Sequence, residues 1–423
     1  MNSEKSVKKL TSDEKKIFIS ATDENIKKGE VTDVYFIRTV TILKKDNLAD
    51  TNVAAEFTIS SLPKDYRWIV FGGIREVIKL LEGLPVDVYA IPEGTILPHR
   101  DINGIRVPVI TIMGPYGKFA IYETPILGFL AAGSGYATKA ARIRKIAGDD
   151  VLIVNFGARR THPAIAPFCD YYSYIGGFNS VSCILGAKYL GKNPTGTMPH
   201  SLLIIYKFTK GDHAEGWVAF DKYMPEEVPR IMLTDTFSDE VEEAIRAVEK
   251  VGPNKIWGVR LDTPGSRRGD FAEIIREVIW KLRQRGYGHV KIFVSGGINE
   301  KAIPELKAAG AVGFGVGSAV ANAPYIDFAM DIIAIKRENT WIPISKRGKY
   351  DGIKQVWRFK QNGKIKYVVT PIDKKPDVPD AEPLLVKMLE NGKIVYKYPE
   401  VDKIRNYVLS QLESLDIQKL PWE

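Results

Sequence analysis

Two glycine-rich turns are the strongest chemical signal in the sequence. Residues 295–298 (Ser-Gly-Gly-Ile) and 315–318 (Gly-Val-Gly-Ser) each follow a short apolar run. Because glycine lacks a Cβ atom, its backbone N–H can approach a phosphate closely, and a following helix N-terminus adds a favourable dipole. The residues expected to bind phosphate are Ser295, Gly296, Gly297, Gly315, Gly317 and Ser318. The alternative is a pair of tight strand–helix turns that bind nothing.

Polar side chains follow other apolar runs of the same region. They are Arg159 and Arg160 after 151–155, Asp235 after 230–233, and Arg260, Asp262 and Thr263 after 255–259. Arginines offer bidentate donors to phosphate or carboxylate groups. The aspartates could hold Mg²⁺ on a diphosphate or accept hydrogen bonds from ribose hydroxyls. A purely structural network of ion pairs would use the same residue types.

A histidine and a tyrosine are weaker candidates. His200 lies in the segment Gly-Thr-Met-Pro-His-Ser (196–201), and an imidazole can act as a base or as a transiently phosphorylated nucleophile. A structural histidine is the alternative. Tyr35, in residues 32–36, cannot by itself be distinguished from a core aromatic.

Alternating strand-like and helical stretches position these residues. Strands are predicted at 151–155, 230–233, 255–259, 290–294 and 311–314, with helices at 238–250, 271–285 and 299–309. This alternation predicts βαβ units and a parallel sheet. The number of units and the glycines at strand ends favour a barrel over an open sheet. Since parallel barrels place active sites at the C-terminal ends of their strands, the polar residues are expected to converge there.

The predicted fold class is α/β, an irregular parallel α/β barrel with a discontinuous α+β domain formed by the N-terminal region and the C-terminal tail. Residues 1–30 are predicted to be a charged extension and 31–140 an N-terminal α+β domain. Residues 141–335 would form the barrel, and 336–423 a basic segment that packs back on the N-terminal domain.

Composition indicates a globular protein with a sizeable core. Of 423 residues, 45% are hydrophobic and 26% charged, which is ordinary for a globular chain. No apolar run reaches the roughly 20 residues that span a bilayer, and the polar start of the chain lacks the apolar region of a signal peptide. We therefore expect a cytoplasmic protein without a membrane partner.

Cys169 and Cys183 form no CxxC pair, so buried thiols are expected rather than a zinc site.

The net charge of +9 is concentrated in one segment. Residues 336–375 contain twelve Lys or Arg against three acids. We favour a solvated peripheral face over a nucleic-acid surface, because aromatic residues are sparse there. A field that attracts an anionic substrate is a third interpretation.

Together, the ordered motifs resemble a known family. They are residues 32–36, 122–125, 155–160, 196–201, 233–237, 259–263, 295–298 and 315–318. In order and spacing they resemble the nicotinate phosphoribosyltransferases, in the archaeal-type branch of the type II phosphoribosyltransferases. The resemblance covers about two thirds of the chain, from Thr32 to Ser318.

The resemblance implies transfer of the phosphoribosyl group of 5-phosphoribosyl 1-pyrophosphate (PRPP) to nicotinate, with Mg²⁺ and with ATP hydrolysis through a phosphohistidine at His200. It implies a homodimer or higher homo-oligomer with shared active sites. Some archaeal relatives bind zinc through a C-terminal cysteine cluster, and no zinc is expected here because this chain lacks those cysteines. Tyr35, from a neighbouring subunit, and Phe156 would enclose the pyridine ring. The implied catalytic residues are His200, Asp235, Asp262 and Arg260. The implied substrate-binding residues are Tyr35, Phe156, Arg159, Arg160, Thr197 and Thr263, and the two glycine turns would hold the 5′-phosphate.

Met198 bears on the choice of base. Nicotinamide-using relatives carry an aspartate near this position, and an acid there would repel the carboxylate of nicotinate. The resemblance therefore favours nicotinate, with quinolinate, nicotinamide or an unrelated phosphate-binding barrel enzyme as alternatives.

Overall fold

The computed structural model describes residues 18–262 and 269–423. The strands are β1 Asn52–Ser61, β2 Trp68–Val70, β3 Asp87–Ala90, β4 Ile96–Pro98, β5 Pro108–Pro115, β6 Leu152–Asn155, β7 Ser180–Val181, β8 Ile231–Leu233, β9 Gly258–Leu261, β10 Lys291–Ser295, β11 Ala311–Val316, β12 Asp327–Arg337, β13 Thr340–Pro343, β14 Lys354–Gln361, β15 Lys364–Pro371, β16 Glu382–Pro383, β17 Val386–Glu390 and β18 Lys393–Ile394.

The helices alternate with the strands through the middle of the chain. They are α1 Asp23–Lys27, α2 Val34–Lys45, α3 Ile74–Leu81, α4 Tyr116–Phe119, α5 Glu123–Ala147, α6 Ala166–Ile175, α7 Ile184–Tyr189, α8 His200–Lys210, α9 Ala214–Tyr223, α10 Glu240–Val251, α11 Phe271–Gln284, α12 Ile303–Ala308, α13 Ser318–Ala321 and α14 Val401–Leu412.

Six strands form a parallel sheet in the order β7-β6-β11-β10-β9-β8. All four residues of β9 are buried, as expected for a parallel strand that is covered on both faces. The predicted α/β class is confirmed. The predicted irregular barrel is a half-barrel, because its hydrogen-bonded order ends at β7 and β8. Between these edge strands the chain forms three helices, α7 to α9, where further strands would be needed for closure.

A second, antiparallel sheet combines both ends of the chain in the order β13-β12-β1-β5-β3-β17-β18. In its centre Val53 pairs with Ile335, so strands from the C-terminal part complete an N-terminal sheet. This is the predicted discontinuous α+β architecture. The exact domain boundaries stay a prediction: α5 runs across residue 140, and β12 runs across residue 335.

Helix α5 connects the two parts of the molecule through small residues. A Cβ atom on Gly133 would lie 2.8 Å from the backbone nitrogen of Gly73, so only glycine permits this approach. The Ser134 hydroxyl lies 3.0 Å from the backbone N–H of Gly72, which donates to it. Helix α5 is thereby fixed against the segment between β2 and α3.

Part of the basic segment has a structural role. Lys354 is buried, and its Nζ lies 2.9 Å from Glu56 Oε2. Lys346 and Lys349 both pair with the buried Asp331, at 2.5 and 2.6 Å. The interpretation of residues 336–375 as a solvated face is therefore wrong for the buried Lys354, whereas the Lys346 side chain is 66% exposed and agrees with it.

Candidate active site

Five polar side chains meet at the carboxyl edge of the half-barrel. His200 is the first residue of α8, Asp235 follows β8, Arg260 lies in β9, Asp262 follows it, and Ser295 ends β10. Because neighbouring parallel strands end at the same edge, residues distant in sequence become neighbours there. We call these five residues the edge cluster.

The two aspartates are each fixed through one oxygen. The backbone N–H of Asp262 donates to Asp235 Oδ2 at 2.6 Å, and the Ser295 hydroxyl donates to Asp262 Oδ1. The other oxygens, Asp235 Oδ1 and Asp262 Oδ2, lie 3.8 and 3.7 Å from His200 Nε2. Asp235 is nearly enclosed, with 2% of its side chain exposed. Two carboxylates thus face one imidazole from fixed positions.

His200 is held from its opposite side. Its Nδ1 lies 3.1 Å from the hydroxyl oxygen of Thr236, while 29% of the side chain remains exposed. Among the described residues, the buried Nε2 atom has no hydrogen-bond partner. The ring is oriented by the protein, and Nε2 is directed at the two carboxylates.

Arg260 is a buried cation beside the aspartates. Its Nη2 donates to the Met198 carbonyl at 3.0 Å and lies 3.6 Å from Asp262 Oδ2. Burial lowers the pKa of Arg260, whereas Asp262 and Asp235 favour its charged form. Its Nε has no hydrogen-bond partner within residues 18–262 and 269–423. The predicted strand 255–259 was wrong by about three residues, and the observed β9 contains Arg260 and aims it into the site.

The two glycine turns differ in their local geometry. Gly296 and Gly297 have φ values of +86° and +71°, a left-handed conformation that favours glycine. Gly315 lies inside β11 rather than in a turn, and a Cβ atom there would lie 2.4 Å from the Phe156 ring. Gly315 therefore makes room for an aromatic ring, and the turn expected at 315–318 begins only after β11 ends at Val316.

The predicted helix dipoles are also weaker than expected. The exposed Ser318 begins α13, which has only four residues. The helix predicted from residue 299 begins at Ile303, and the Asn299 side chain caps the preceding turn by accepting from the backbone N–H of Lys301 at 2.9 Å. Neither glycine turn leads directly into a long helix.

Asn155 positions the segment that carries Phe156. Its buried Oδ1 accepts from the backbone N–H of Gly157 at 2.7 Å, and its Nδ2 donates to Ser173 Oγ at 3.1 Å. The Phe156 ring packs at a tilt on Phe293, with 6.0 Å between the ring centroids, and remains half-buried. An aromatic face thus stands at the sheet edge.

The remaining predicted residues lie in different surroundings. Thr197 is half-buried, and its hydroxyl has no hydrogen-bond partner among the described residues. Arg159 and Arg160 are exposed in a short 3-10 turn. Thr263 lies outside the described residues. Tyr35 is 54% exposed on α2, and its ring contacts Phe36, not Phe156. A single chain therefore does not bring Tyr35 to the edge cluster.

Two residues of this region were not predicted from the sequence. Thr236 contacts His200, and Glu243 of α10 holds the loop that carries Thr236. The only signal for Glu243 is an acidic residue on the apolar face of an amphipathic helix, beside Ala244 and Ala247.

A cavity of about 980 Å³ lies away from the edge cluster. Its lining includes Arg75, Glu76, Phe129 and Tyr171, and none of the edge-cluster residues. Three of its polar groups are already engaged: Arg75 Nη1 lies 3.4 Å from the Tyr171 hydroxyl, and Glu76 accepts from the neighbouring Tyr172 hydroxyl at 2.7 Å. We therefore place the site at the edge cluster, where polar atoms remain available.

The described ranges contain neither a group of metal-binding side chains nor a helix suited to a membrane. There, no three His, Cys, Asp or Glu side chains are grouped to hold a metal ion. Cys169 and Cys183 are both free thiols, the first buried and the second half-buried. No helix of residues 18–262 and 269–423 combines the length and apolarity needed to cross a bilayer.

Three family models match consecutive parts of the chain. The N-terminal domain of quinolinate phosphoribosyl transferase matches residues 33–134, and its C-terminal domain matches 136–331. The nicotinate phosphoribosyltransferase C-terminal domain matches residues 371–420.

Individual proteins agree with these matches. A nicotinate phosphoribosyltransferase of Mycobacterium tuberculosis is 26% identical over 91% of this chain and 87% of its own length. The Bacillus subtilis nicotinate phosphoribosyltransferase is 24% identical over 91% of this chain and 88% of its own length. The structure of human nicotinic acid phosphoribosyltransferase shares the fold, with a TM-score of 0.74 and 19% identity. The match covers 92% of this chain and 95% of the human one.

A solved structure with higher identity is that of nicotinate-nucleotide pyrophosphorylase from Pyrococcus furiosus. It is 47% identical, with a TM-score of 0.86, and the match covers 95% of this chain and all of that one. An unrelated phosphate-binding barrel is thereby excluded. The chain belongs to the nicotinate phosphoribosyltransferase family.

Proposed function

We propose that this protein transfers the 5-phosphoribosyl group of PRPP to nicotinate, giving nicotinate mononucleotide and pyrophosphate for NAD biosynthesis. The observation that carries the proposal is the edge cluster: two fixed carboxylates, a buried arginine and an oriented histidine beside a glycine turn. Release of pyrophosphate from nicotinate, PRPP and Mg²⁺ tests it. No turnover with or without ATP would refute it.

The edge cluster suits the chemistry of this transfer. Loss of pyrophosphate leaves positive charge on the ribose, and negative charge develops on the leaving group. Asp235 and Asp262 supply fixed negative charge, while Arg260 supplies positive charge in a site largely shielded from water. Since these groups are held before substrate arrives, little reorganisation is needed in the transition state.

Asp235 and Asp262 also fit a Mg²⁺ ion that arrives with the substrate. Their oxygens Oδ1 and Oδ2 face the same side, and carboxylate oxygens are preferred Mg²⁺ ligands, together with phosphate oxygens and water. When bound, the ion would neutralise charge on the leaving pyrophosphate. The 5′-phosphate would lie against the backbone of Gly296 and Gly297, near Ser295 and Ser318.

The base would bind against Phe156. The half-buried ring offers a face for stacking, the Thr197 hydroxyl has an unused hydrogen-bonding capacity, and Arg159 and Arg160 are accessible partners for a carboxylate. Met198 is buried, with no charge to repel that carboxylate. These features favour nicotinate over nicotinamide.

Quinolinate is the second candidate base. The two quinolinate phosphoribosyl transferase domain models match consecutive parts of the chain. The name of the Pyrococcus furiosus protein describes cleavage of nicotinate nucleotide by pyrophosphate, which is chemically the reverse of the proposed transfer. The curated relatives that match over nine tenths of the chain are nicotinate phosphoribosyltransferases, and this favours nicotinate.

ATP hydrolysis would be coupled through His200. In this step an imidazole nitrogen bonds to the γ-phosphorus of ATP, the bond to the bridging oxygen breaks, and ADP leaves. Support for the step comes from the exposure of the His200 ring at 29% and from its fixed orientation against Thr236. The added phosphate would place negative charge beside Asp235 and Asp262 and so favour reorganisation at the pyrophosphate site.

The site would be completed by a second copy of the chain. Helix α2 exposes the apolar side chains Val34, Tyr35, Ile37 and Ile42, and exposed apolar side chains that lie together can mark an interaction surface. Near the edge cluster, α8 exposes Ile204, Ile205 and Phe208. A head-to-tail homodimer or higher homo-oligomer would cover both faces and carry Tyr35 to the partner's Phe156.

Mixed dimers test the shared site. Co-expression of Tyr35→Ala and Arg260→Ala chains places both substitutions in one site of each heterodimer and leaves the other intact, so activity should rise to about a quarter of the wild-type value. Each variant alone should be nearly inactive. Activity of the mixture that equals the mean of the two variants would show that each chain completes its own site.

A further inference from the structure

Glu243 lies beneath the loop that follows β8. None of its side chain is exposed. The backbone N–H of Thr236 donates to Oε2 at 2.9 Å, and those of Phe237 and Ser238 donate to Oε1 at 2.7 and 2.9 Å. Three charge-assisted hydrogen bonds to one carboxylate offset the cost of burying it and hold three consecutive residues in place.

Thr236 transmits this constraint to the histidine. Its backbone N–H bonds to Glu243, and its hydroxyl lies 3.1 Å from His200 Nδ1. The bond on Nδ1 is what turns Nε2 toward Asp235 and Asp262. A loop that moved away from Glu243 would take the Thr236 hydroxyl out of reach of the ring.

Glu243 is itself held in place by aromatic packing. His213 Nε2 lies 3.2 Å from Oε1, and the His213 ring packs on Trp217 and Phe237 with centroid separations of 5.0 and 5.2 Å. Burial lowers the pKa of His213, although Glu243 opposes this effect. Trp217 donates to the Leu233 carbonyl at the end of β8, so the support is tied to the sheet.

We propose that Glu243 is a positioning residue that sets the orientation of the His200 imidazole through Thr236. The inference rests on the proposed function of His200, but the orientation itself can be measured without turnover. A purely structural Glu243 would affect only the free energy of unfolding.

Replacement of Glu243 by glutamine tests the proposal, with Glu242→Gln as the matched control because Glu242 is an exposed residue of the same helix. Glutamine keeps the size but exchanges one acceptor oxygen for an NH₂ group, which cannot accept from the loop. We expect kcat to fall by about 10-fold or more, with KM values changed by less than about threefold, because a charge-assisted bond is lost outside the substrate contacts. The control should match the wild type.

Two further measurements separate positioning from stability. In ¹⁵N-histidine-labelled protein, the Nδ1 resonance of His200 should shift in Glu243→Gln in the same direction as in Thr236→Val. The double variant should lose little more activity than the worse single variant, since the two residues act in one chain of contacts. If Glu243→Gln fails to fold, the shorter Glu243→Asp takes its place, and its Nδ1 resonance should shift in the same direction as that of Thr236→Val.

An unshifted Nδ1 resonance in a folded variant would overturn the proposal, as would losses that multiply independently in the double variant. Because the resonance is read without substrate, an inactive wild-type protein would refute the proposed transfer and still leave the positioning claim measurable.

Discussion

Alanine in place of Arg260 is expected to lower kcat/KM for PRPP by about 100-fold or more, the loss typical of removing one preorganised charge-stabilising donor. Arg260 is buried and uses Nη2 to bond the Met198 carbonyl. Its Nε has no partner in the described part of the chain. A buried guanidinium with a remaining donor is poised for an anionic group of the substrate, and water cannot replace it there.

Two comparisons make this prediction specific. Arg276→Ala removes an exposed arginine of α11 in the same half-barrel and should leave kcat/KM unchanged. Arg260→Lys keeps the charge but loses the planar arrangement of donors, so it should recover only part of the activity. Steady-state kinetics of the folded variants would measure these differences in kcat/KM. A loss of less than about threefold in Arg260→Ala would contradict the assigned role.

Replacing His200 with alanine is expected to abolish incorporation of phosphate from ATP labelled at the γ position. The label in wild-type protein should be lost on acid or heat treatment, as phosphoramidate bonds are. Of the chain's five histidines, His200 is the one whose Nε2 faces Asp235 and Asp262 at 3.8 and 3.7 Å.

The matched control is His289→Ala. His289 is exposed and its Nε2 contacts the Pro253 carbonyl at 2.7 Å, away from the edge cluster. This variant should be labelled like the wild type. Label that persists in His200→Ala would show that another nucleophile accepts the phosphate or that ATP is not coupled through this residue.

Local patterns in the sequence predicted most elements of the half-barrel. The strands at 151–155 and 290–294 and the helix at 271–285 agree with β6, β10 and α11 to within one residue at either end. Buried parallel strands and amphipathic helices leave a periodic signal, so they can be recognised without tertiary information. The strand at 255–259 was predicted too early in the chain because Ile256 and Trp257 are apolar. The position of β9 depends on its pairing with β8 and β10.

Long-range pairing was harder to predict. Nothing near Val53 in sequence indicates that it pairs with Ile335, and nothing in residues 184–223 indicates that helices replace strands that would close the barrel. As expected, the fold brings His200, Asp235, Arg260 and Asp262 together at one edge of the sheet. The roles of these residues stay predictions. Thr236 and Glu243 were missed because a buried carboxylate that binds backbone N–H groups has no sequence signature beyond its residue type.

One competition experiment tests the choice of base most directly. The protein is given PRPP, Mg²⁺, ATP and equal amounts of ring-deuterated nicotinate, unlabelled quinolinate and unlabelled nicotinamide, and the products are identified by mass spectrometry. We predict deuterated nicotinate mononucleotide, with one pyrophosphate released for each nucleotide formed. Unlabelled nicotinate mononucleotide with release of carbon dioxide, or the nicotinamide nucleotide as the main product, would contradict the proposed function.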